Sequence, residues 1–344
     1  MRGSSARLPA SAGTAALAAR WVLGWIYWGG GSRRLIYAPS KLDPNAPHWL
    51  AGKFQSALPG ALLGSQAAGA ALLAHPVLLH GVLVAVSVLE LLAGVSLLLG
   101  ILTRAGALAS IALSLALMPL FGWQGASCID EWTMSASTLA LGVVVYLVGG
   151  GTFALDRLLF PEQSVPASRR HRLWASASWS EHTTQRAGAV AGVLVLAWVV
   201  AFYAYYRGSV WGPYHPGPVS PKHHALTLSG PVLHTDGAVE LALAVTAGTP
   251  AAAAHIIGIA VIDGRGKPIE EWGGRALSRL PAQSIGNRYP YQRIGPGVYG
   301  LKAPVGAQAM LHLAARQAVP PGNYRLVAID ISGRRFGIAV TTTP

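Results

Sequence analysis

Five apolar stretches, at about residues 14–31, 77–101, 105–121, 136–156 and 187–206, constrain this chain more than any other feature. Each runs for about 17–25 residues, the length a helix needs to cross a bilayer core at 1.5 Å per residue. Backbone polar groups find no water in hydrocarbon, so stretches of this kind must be helical. Composition agrees: the 344 residues are 52% hydrophobic and only 11% charged, where a soluble domain carries about 25% charged residues. The first stretch lacks a small-residue cleavage site near its end and reads as a retained anchor. The third is the shortest and ends at Met118-Pro119.

Charge sets the expected orientation. The segment from Arg157 to Arg186 holds Arg169, Arg170, His171 and Arg172, and Arg104 lies in the tight turn after the second stretch. Lys and Arg favour the cytoplasmic side, so both segments face inside. The connection Gly122–Ser135 has Asp130 and Glu131 and no basic residue, which suits the outside. The N-terminus is then cytoplasmic, and the connection from Gly29 to Pro76 faces outside. That connection carries Arg33, Arg34, Lys41 and Lys53 against the single Asp43. An outward basic loop runs against the charge rule, and the simplest reason for one is an anion held there.

The chain therefore reads as a four-span membrane domain over residues 1–160, a basic cytoplasmic linker over 161–186, a fifth transmembrane helix over 187–207, and an outer domain over 208–344. The outer part alternates in runs such as Val239-Glu-Leu-Ala-Leu-Ala-Val and Tyr324-Arg-Leu-Val-Ala-Ile-Asp-Ile, with turns at Asp263-Gly264, Pro321-Gly322-Asn323 and Ser332-Gly333. Short strands at this spacing predict an all-β, immunoglobulin-like sandwich. The overall expectation is a membrane α-helical protein, a four-helix bundle plus a fifth span, with this β-sandwich outside.

Composition also excludes. The 26 Lys and Arg against 13 acidic residues are scattered over loops around apolar spans, so nucleic-acid binding is not expected. Cys128 is the single cysteine, which rules out an intramolecular disulfide or a cysteine-held iron–sulfur cluster. No CxxC, CxxCH, HExxH or post-strand GxGxxG occurs, so no motif announces a protein-held metal or flavin. His223 and His224 are adjacent and would point to opposite faces of a strand, a poor start for a metal site.

Several patches together resemble a known family. Trp25-Ile-Tyr-Trp-Gly-Gly-Gly-Ser-Arg-Arg followed by Pro39-Ser-Lys-Leu-Asp-Pro is similar to the start of DoxD, and Glu90-Leu-Leu-Ala-Gly-Val-Ser-Leu-Leu-Leu-Gly-Ile-Leu-Thr-Arg to the wider DoxX-like signature. Ala126-Ser-Cys-Ile-Asp-Glu-Trp-Thr fits the same pattern. From about Gly188 the chain resembles DoxA, through its single span and the Trp211-Gly-Pro-Tyr-His-Pro region. DoxD and DoxA are subunits of a thiosulfate:quinone oxidoreductase, so the resemblance implies both subunits fused in one chain. It implies thiosulfate as substrate, a ubiquinone-type membrane quinone as electron acceptor, and a terminal oxidase as partner. The location implied is the cytoplasmic membrane, with the C-terminal domain in the periplasm; homo-oligomerisation is also expected, because the bundle is small.

The residues can be set against that chemistry. Two thiosulfate dianions about 5 Å apart repel by roughly 3 kcal/mol even at water's dielectric. Arg33, Arg34, Lys41 and Lys53 are the cations that would hold them, Arg through its forked donors. Trp25, Trp28, Tyr37 and His80 are candidates for a quinone slot between the first two spans, although Trp and Tyr also gather at any membrane interface. Glu90, in mid-span, is a candidate proton route to reduced quinone, with Arg20 the expected partner. Cys128 could hold a sulfane sulfur covalently, though its acidic neighbours Asp130 and Glu131 disfavour a thiolate. Those two carboxylates could accept protons instead. The same features leave open a non-enzymatic assembly or tethering protein whose outer β-domain grips a partner.

Overall fold

The computed structural model describes residues 10–125, 131–159, 174–175, 179–208 and 219–343. It divides into two compact units that cut across the chain. One consists of Met1–Leu50, Val77–Gly122 and Cys128–His215; the other of Ala51–Pro76, Trp123–Ser127 and Pro216–Pro344.

The first unit is helical. Among the described residues, four helices are long and apolar enough to cross a membrane: Pro76–Leu99, Thr103–Phe121, Glu131–Val148 and Glu181–Tyr206. The helix before them, Leu17–Ser32, has 16 residues and continues into a π-helical turn of five, Arg33–Tyr37. Together they run for about 30 Å, enough to cross the hydrocarbon core. Arg33 and Arg34 therefore belong to the end of the first span and not to a loop after it. We number these helices as spans one to five.

Local chemistry explains where the spans end. Span four stops at Val148, earlier than hydropathy predicts, because Gly149 and Gly151 adopt φ of +78° and +69°, the left-handed conformation that terminates helices. Span five starts at Glu181, earlier than predicted, because Ser180 caps it by accepting the Thr183 N–H at 3.2 Å. Span three opens on the Asp156 carboxylate, which accepts from Leu102 N at 2.6 Å, Thr103 N at 3.0 Å and Thr103 Oγ1 at 2.9 Å.

The bundle core gathers Leu23, Tyr27, Ala93, Leu97, Ala107, Leu113 and Val145. Spans one and two approach through small residues. A Cβ on Gly31 would lie 2.8 Å from the Cα of Leu91, and one on Gly94 2.7 Å from the Cα of Trp28. Without a hydrophobic drive between helices in lipid, such close backbone packing is what holds them together.

The second unit carries ten strands: β1 (Ala225–His234), β2 (Val239–Ala247), β3 (Ala254–Ile262), β4 (Pro268–Gly273), β5 (Ile285–Asn287), β6 (Gly295–Gly297), β7 (Gly300–Ala303), β8 (Gln308–Leu313), β9 (Asn323–Asp330) and β10 (Arg335–Thr343). Their order is β5-β8-β2-β1-β10-β9-β3-β7-β6, with β4 on β3. The two halves meet through a short parallel contact of β1 with β10, at Leu233–Thr342 and His234–Thr343, which makes the sandwich barrel-like. All other pairings are antiparallel. Along β2 every second residue, Val239 to Ala247, is buried, the period of a strand with one face on a core. Aliphatic side chains fill that core, among them Leu241, Ile256, Ile259, Leu301, Leu311 and Leu326.

The segments 51–76 and 123–125 join these strands. They connect spans one and two, and spans three and four, while the strands follow span five.

Candidate functional site

Span two presents Ser87, Glu90, Ala93, Gly94 and Leu97 as buried residues, a spacing of three and four that puts them on one helical face. Glu90 on that face would be a bare charge in hydrocarbon without a partner. Its partner is Arg34, whose Nη2 forms an ion pair with Glu90 Oε2. Arg34 Nε donates to Ser87 Oγ at 3.0 Å, and Ser87 donates in turn to Leu83 O at 2.8 Å. Gly30, one turn before Arg34, makes room: a Cβ there would stand 2.6 Å from Glu90 Oε2.

Arg34 is the second residue of the π-helical turn. Ala38 N donates to Arg33 O, a bond across five residues, at 2.6 Å. Such a turn inserts a residue and shifts the register of the face behind it. Arg33, its neighbour, is exposed.

This corrects the partner expected from sequence. Arg20 does not meet Glu90. It is buried at the other end of the bundle, donating to Gly150 O at 2.7 Å and Phe153 O at 3.1 Å. Arg104 is anchored at the same end, with Nε on Tyr146 O at 2.8 Å, Nη1 on Ala175 O at 3.2 Å, and its guanidinium 4.6 Å from the Trp179 ring centroid.

The other sequence candidates divide. Lys41 is half-buried and closes the short turn Pro39–Lys41 in the same unit as Arg34. Lys53 is exposed and belongs to the strand-bearing unit. Trp25 and Tyr37 are 65% and 72% exposed, and Trp28 is half-buried. His80 is half-buried on the first turns of span two, and its Nδ1 has no hydrogen-bond partner among the described residues. Glu131 opens span four, where a carboxylate suits the helix dipole. Cys128, Asp130 and the Trp211–His215 region lie outside the described residues. Among those described, no group of three or more His, Cys, Asp or Glu could hold a metal ion.

One polar feature escaped the sequence reading. Tyr27 is buried and donates to Ser110 O at 3.1 Å, 3.3 Å from Ser114 Oγ. Ser114 Oγ is 2.8 Å from Thr138 Oγ1. Hydroxyls of spans one, three and four are thus linked through the middle of the bundle. Three buried hydroxyl-bearing positions in apolar helices were the signal, and Ser and Thr are too common in such helices to stand out.

Comparison with known families gives two matches. Residues 16–178 match the family described as TQO small subunit DoxD. Residues 206–337 match the family described as TQO small subunit DoxA.

Proposed function

The chain belongs to the DoxD and DoxA families, joined in one polypeptide, and from that premise we propose that it oxidises thiosulfate at the outer end of span one and reduces a membrane quinone. Two thiosulfates each give up one electron, and a bond forms between their sulfane sulfurs to yield tetrathionate. The two electrons and two protons convert a ubiquinone-type quinone to its quinol, and a terminal oxidase is the natural consumer of that quinol.

The observation that carries this reading is the Arg34–Glu90 ion pair beside exposed Arg33. Arg33 and Lys41 supply the charge that lets two dianions approach. Arg34 already faces a carboxylate, so its part is to hold Glu90 in place and turn a donor toward an arriving anion. Glu90 is then a proton-carrying group fixed within the span, as quinone reduction requires. On the acceptor side, Trp25, Trp28 and Tyr37 offer flat rings at lipid depth, and the unpartnered Nδ1 of His80 suits a quinone carbonyl. Cys128, Asp130 and Glu131 stay in the reading as sulfur and proton chemistry at the start of span four. The protein lies in the cytoplasmic membrane with its N-terminus inside and its strand-bearing unit in the periplasm; Arg169, Arg170 and Arg172, between spans four and five, support the inward side of that connection.

The test is thiosulfate-dependent reduction of decylubiquinone by purified protein in lipid, with tetrathionate measured alongside. The reading expects one tetrathionate per quinol, and Arg33→Ala raising the thiosulfate KM about tenfold, the loss of one charge-assisted contact. Absence of thiosulfate-dependent turnover in intact protein would favour a tethering role instead.

A further inference from the structure

Span four opens Glu131-Trp-Thr-Met-Ser-Ala-Ser-Thr, so Glu131, Ser135 and Thr138 recur at steps of four and three residues. That spacing sets them on one face of the helix. Ser135, Thr138, Leu139, Gly142 and Val145 are buried, so the face is the one turned into the bundle. Hydroxyls on it must find partners within the protein, because hydrocarbon supplies none. Thr138 Oγ1 lies 2.8 Å from Ser114 Oγ on span three, and Ser114 Oγ lies 3.3 Å from Tyr27 Oη on span one. Ser135 differs: it is 1% exposed, yet its hydroxyl has no hydrogen-bond partner among the described residues. It sits one turn from Thr138 and one turn from Glu131, able to swing toward either.

The two ends of the bundle differ in what adjoins Tyr27. Toward Arg20 and Arg104 the core holds Leu23, Leu97, Ala107 and Val145, aliphatic side chains that cannot pass a proton. The polar groups beyond them are committed. Arg20 and Arg104 donate to main-chain oxygens, and Asp156 accepts from Leu102 and Thr103 at the start of span three. Toward Glu131, by contrast, the hydroxyls follow one another with no gap wider than one helical turn. Across the seam with span two, Gly94 packs on the backbone of Trp28, the residue after Tyr27. Tyr27 is therefore level with Gly94, about 6 Å along the helix from Glu90, a gap of the size a bridging water spans.

We infer that Glu131, Ser135, Thr138, Ser114 and Tyr27 form a proton route, which carries the protons of quinone reduction from the thiosulfate end of the bundle to Glu90. The inference rests on the reading above, with thiosulfate oxidised at the outer end of span one. Successive spans alternate in direction, so Glu131 at the start of span four shares its end of the bundle with Arg33 at the close of span one. Each link after Glu131 is a hydroxyl, which can accept one proton and donate another. At rest Tyr27 and Ser114 donate to Ser110 O and Thr138 to Met134 O, so a transfer takes a rotation of each hydroxyl. Per turnover two thiosulfates lose two electrons as their sulfur–sulfur bond forms, and the quinone gains those electrons and two protons. Thiosulfate oxidation releases no proton, so both are drawn from water at that end. Electrons and protons then enter from one side, and turnover moves no net charge across the membrane.

The test uses the full chain in sealed lipid vesicles, with decylubiquinone in the bilayer and thiosulfate added outside. Thiosulfate does not cross the bilayer, so only molecules with the Arg33 end outward turn over. Dyes for pH in the lumen and outside, and a voltage-sensitive dye, follow the protons. Two protons per tetrathionate are expected to leave the outer solution, with lumen pH and membrane potential unchanged. Thr138→Val keeps the shape and removes the hydroxyl. It is expected to lower kcat about tenfold at unchanged thiosulfate KM, less than the loss of a direct donor because water can replace one link. The solvent-deuterium effect on kcat should rise in this variant, since proton delivery then limits the rate. Tyr27→Phe should act likewise, and the double variant should be no slower than the slower single one, because the links act in series. Thr138→Ser should restore most of the kcat lost in Thr138→Val, which separates a lost link from a lost fold. Native kcat in folded Thr138→Val and Tyr27→Phe, or protons drawn from the lumen with a growing membrane potential, would overturn the route and leave the oxidoreductase standing. Native protein that reduces no quinone with thiosulfate would overturn the oxidoreductase reading, and the route with it.

Discussion

Arg20 and Arg34 are arginines of one helical run, and the bundle treats them differently. Arg20 and Arg104 donate to the main-chain carbonyls of Gly150, Phe153, Tyr146 and Ala175, next to the Asp156 carboxylate that caps span three. Of these bonds, the one to Tyr146 O takes up a peptide group that the end of span four leaves unpaired. They latch spans together, and nothing about them calls for a substrate. Arg34 instead meets a carboxylate on the middle of a neighbouring span, from within a π-helical turn and beside an exposed Arg33. Buried ion pairs seldom add stability over a well-packed apolar pair. The pair at Arg34 is therefore the one to which we assign a part in the proposed chemistry.

Breaking each end separately sharpens this contrast. The largest effect expected is from Arg34→Ala, which leaves Glu90 buried and unpaired and should cost about 3–5 kcal/mol of stability. The double variant Arg34→Met/Glu90→Leu should regain most of that stability in denaturation in mild detergent, yet stay inactive. Full activity in the double variant would mean the pair is only a packing device. At the other end, Asp156→Asn keeps the shape but weakens the cap on span three. A loss of about 1–2 kcal/mol is expected, in line with other N-terminal caps, with the kcat of the folded fraction retained. Smallest is Ser87→Ala, which removes one bond to the Arg34 guanidinium. It should cost about 1 kcal/mol and shift kcat less than any change to Glu90, as measured by quinone reduction.

Much of the fold was legible in the chain because it rests on local periodicity. Spans two to five show as apolar runs, and β2 shows as strict alternation from Val239 to Ala247. The family resemblance at Trp25–Arg34 and Glu90–Arg104 likewise lies in contiguous residues and is matched by the families found. Helix ends were read less well, since the left-handed glycines after Val148 and the Ser180 cap act over single residues. Pairing between helices was not legible. Span one carries Arg20 and Arg34, and which of them is level with Glu90 depends on how the two spans align: Arg34 stands beside Glu90, while Arg20 stands against Gly100 at the other end. The Gln55 contacts with Gln292 and Gly306 join positions with no shared pattern, and nothing in the sequence pointed to segment 51–76 as part of the strand-bearing unit.

The contrast between the two ends is tested most directly by Glu90→Gln, which keeps size and hydrogen-bonding capacity and removes the transferable proton. Steady-state quinone reduction and thermal unfolding would be measured on the same lipid-reconstituted sample, next to Asp156→Asn. The account predicts a fall in kcat of about 100-fold or more, the usual worth of a positioned proton donor, with unfolding less affected than kcat. Retained turnover in Glu90→Gln, or an equal loss of kcat in folded Asp156→Asn, would contradict it.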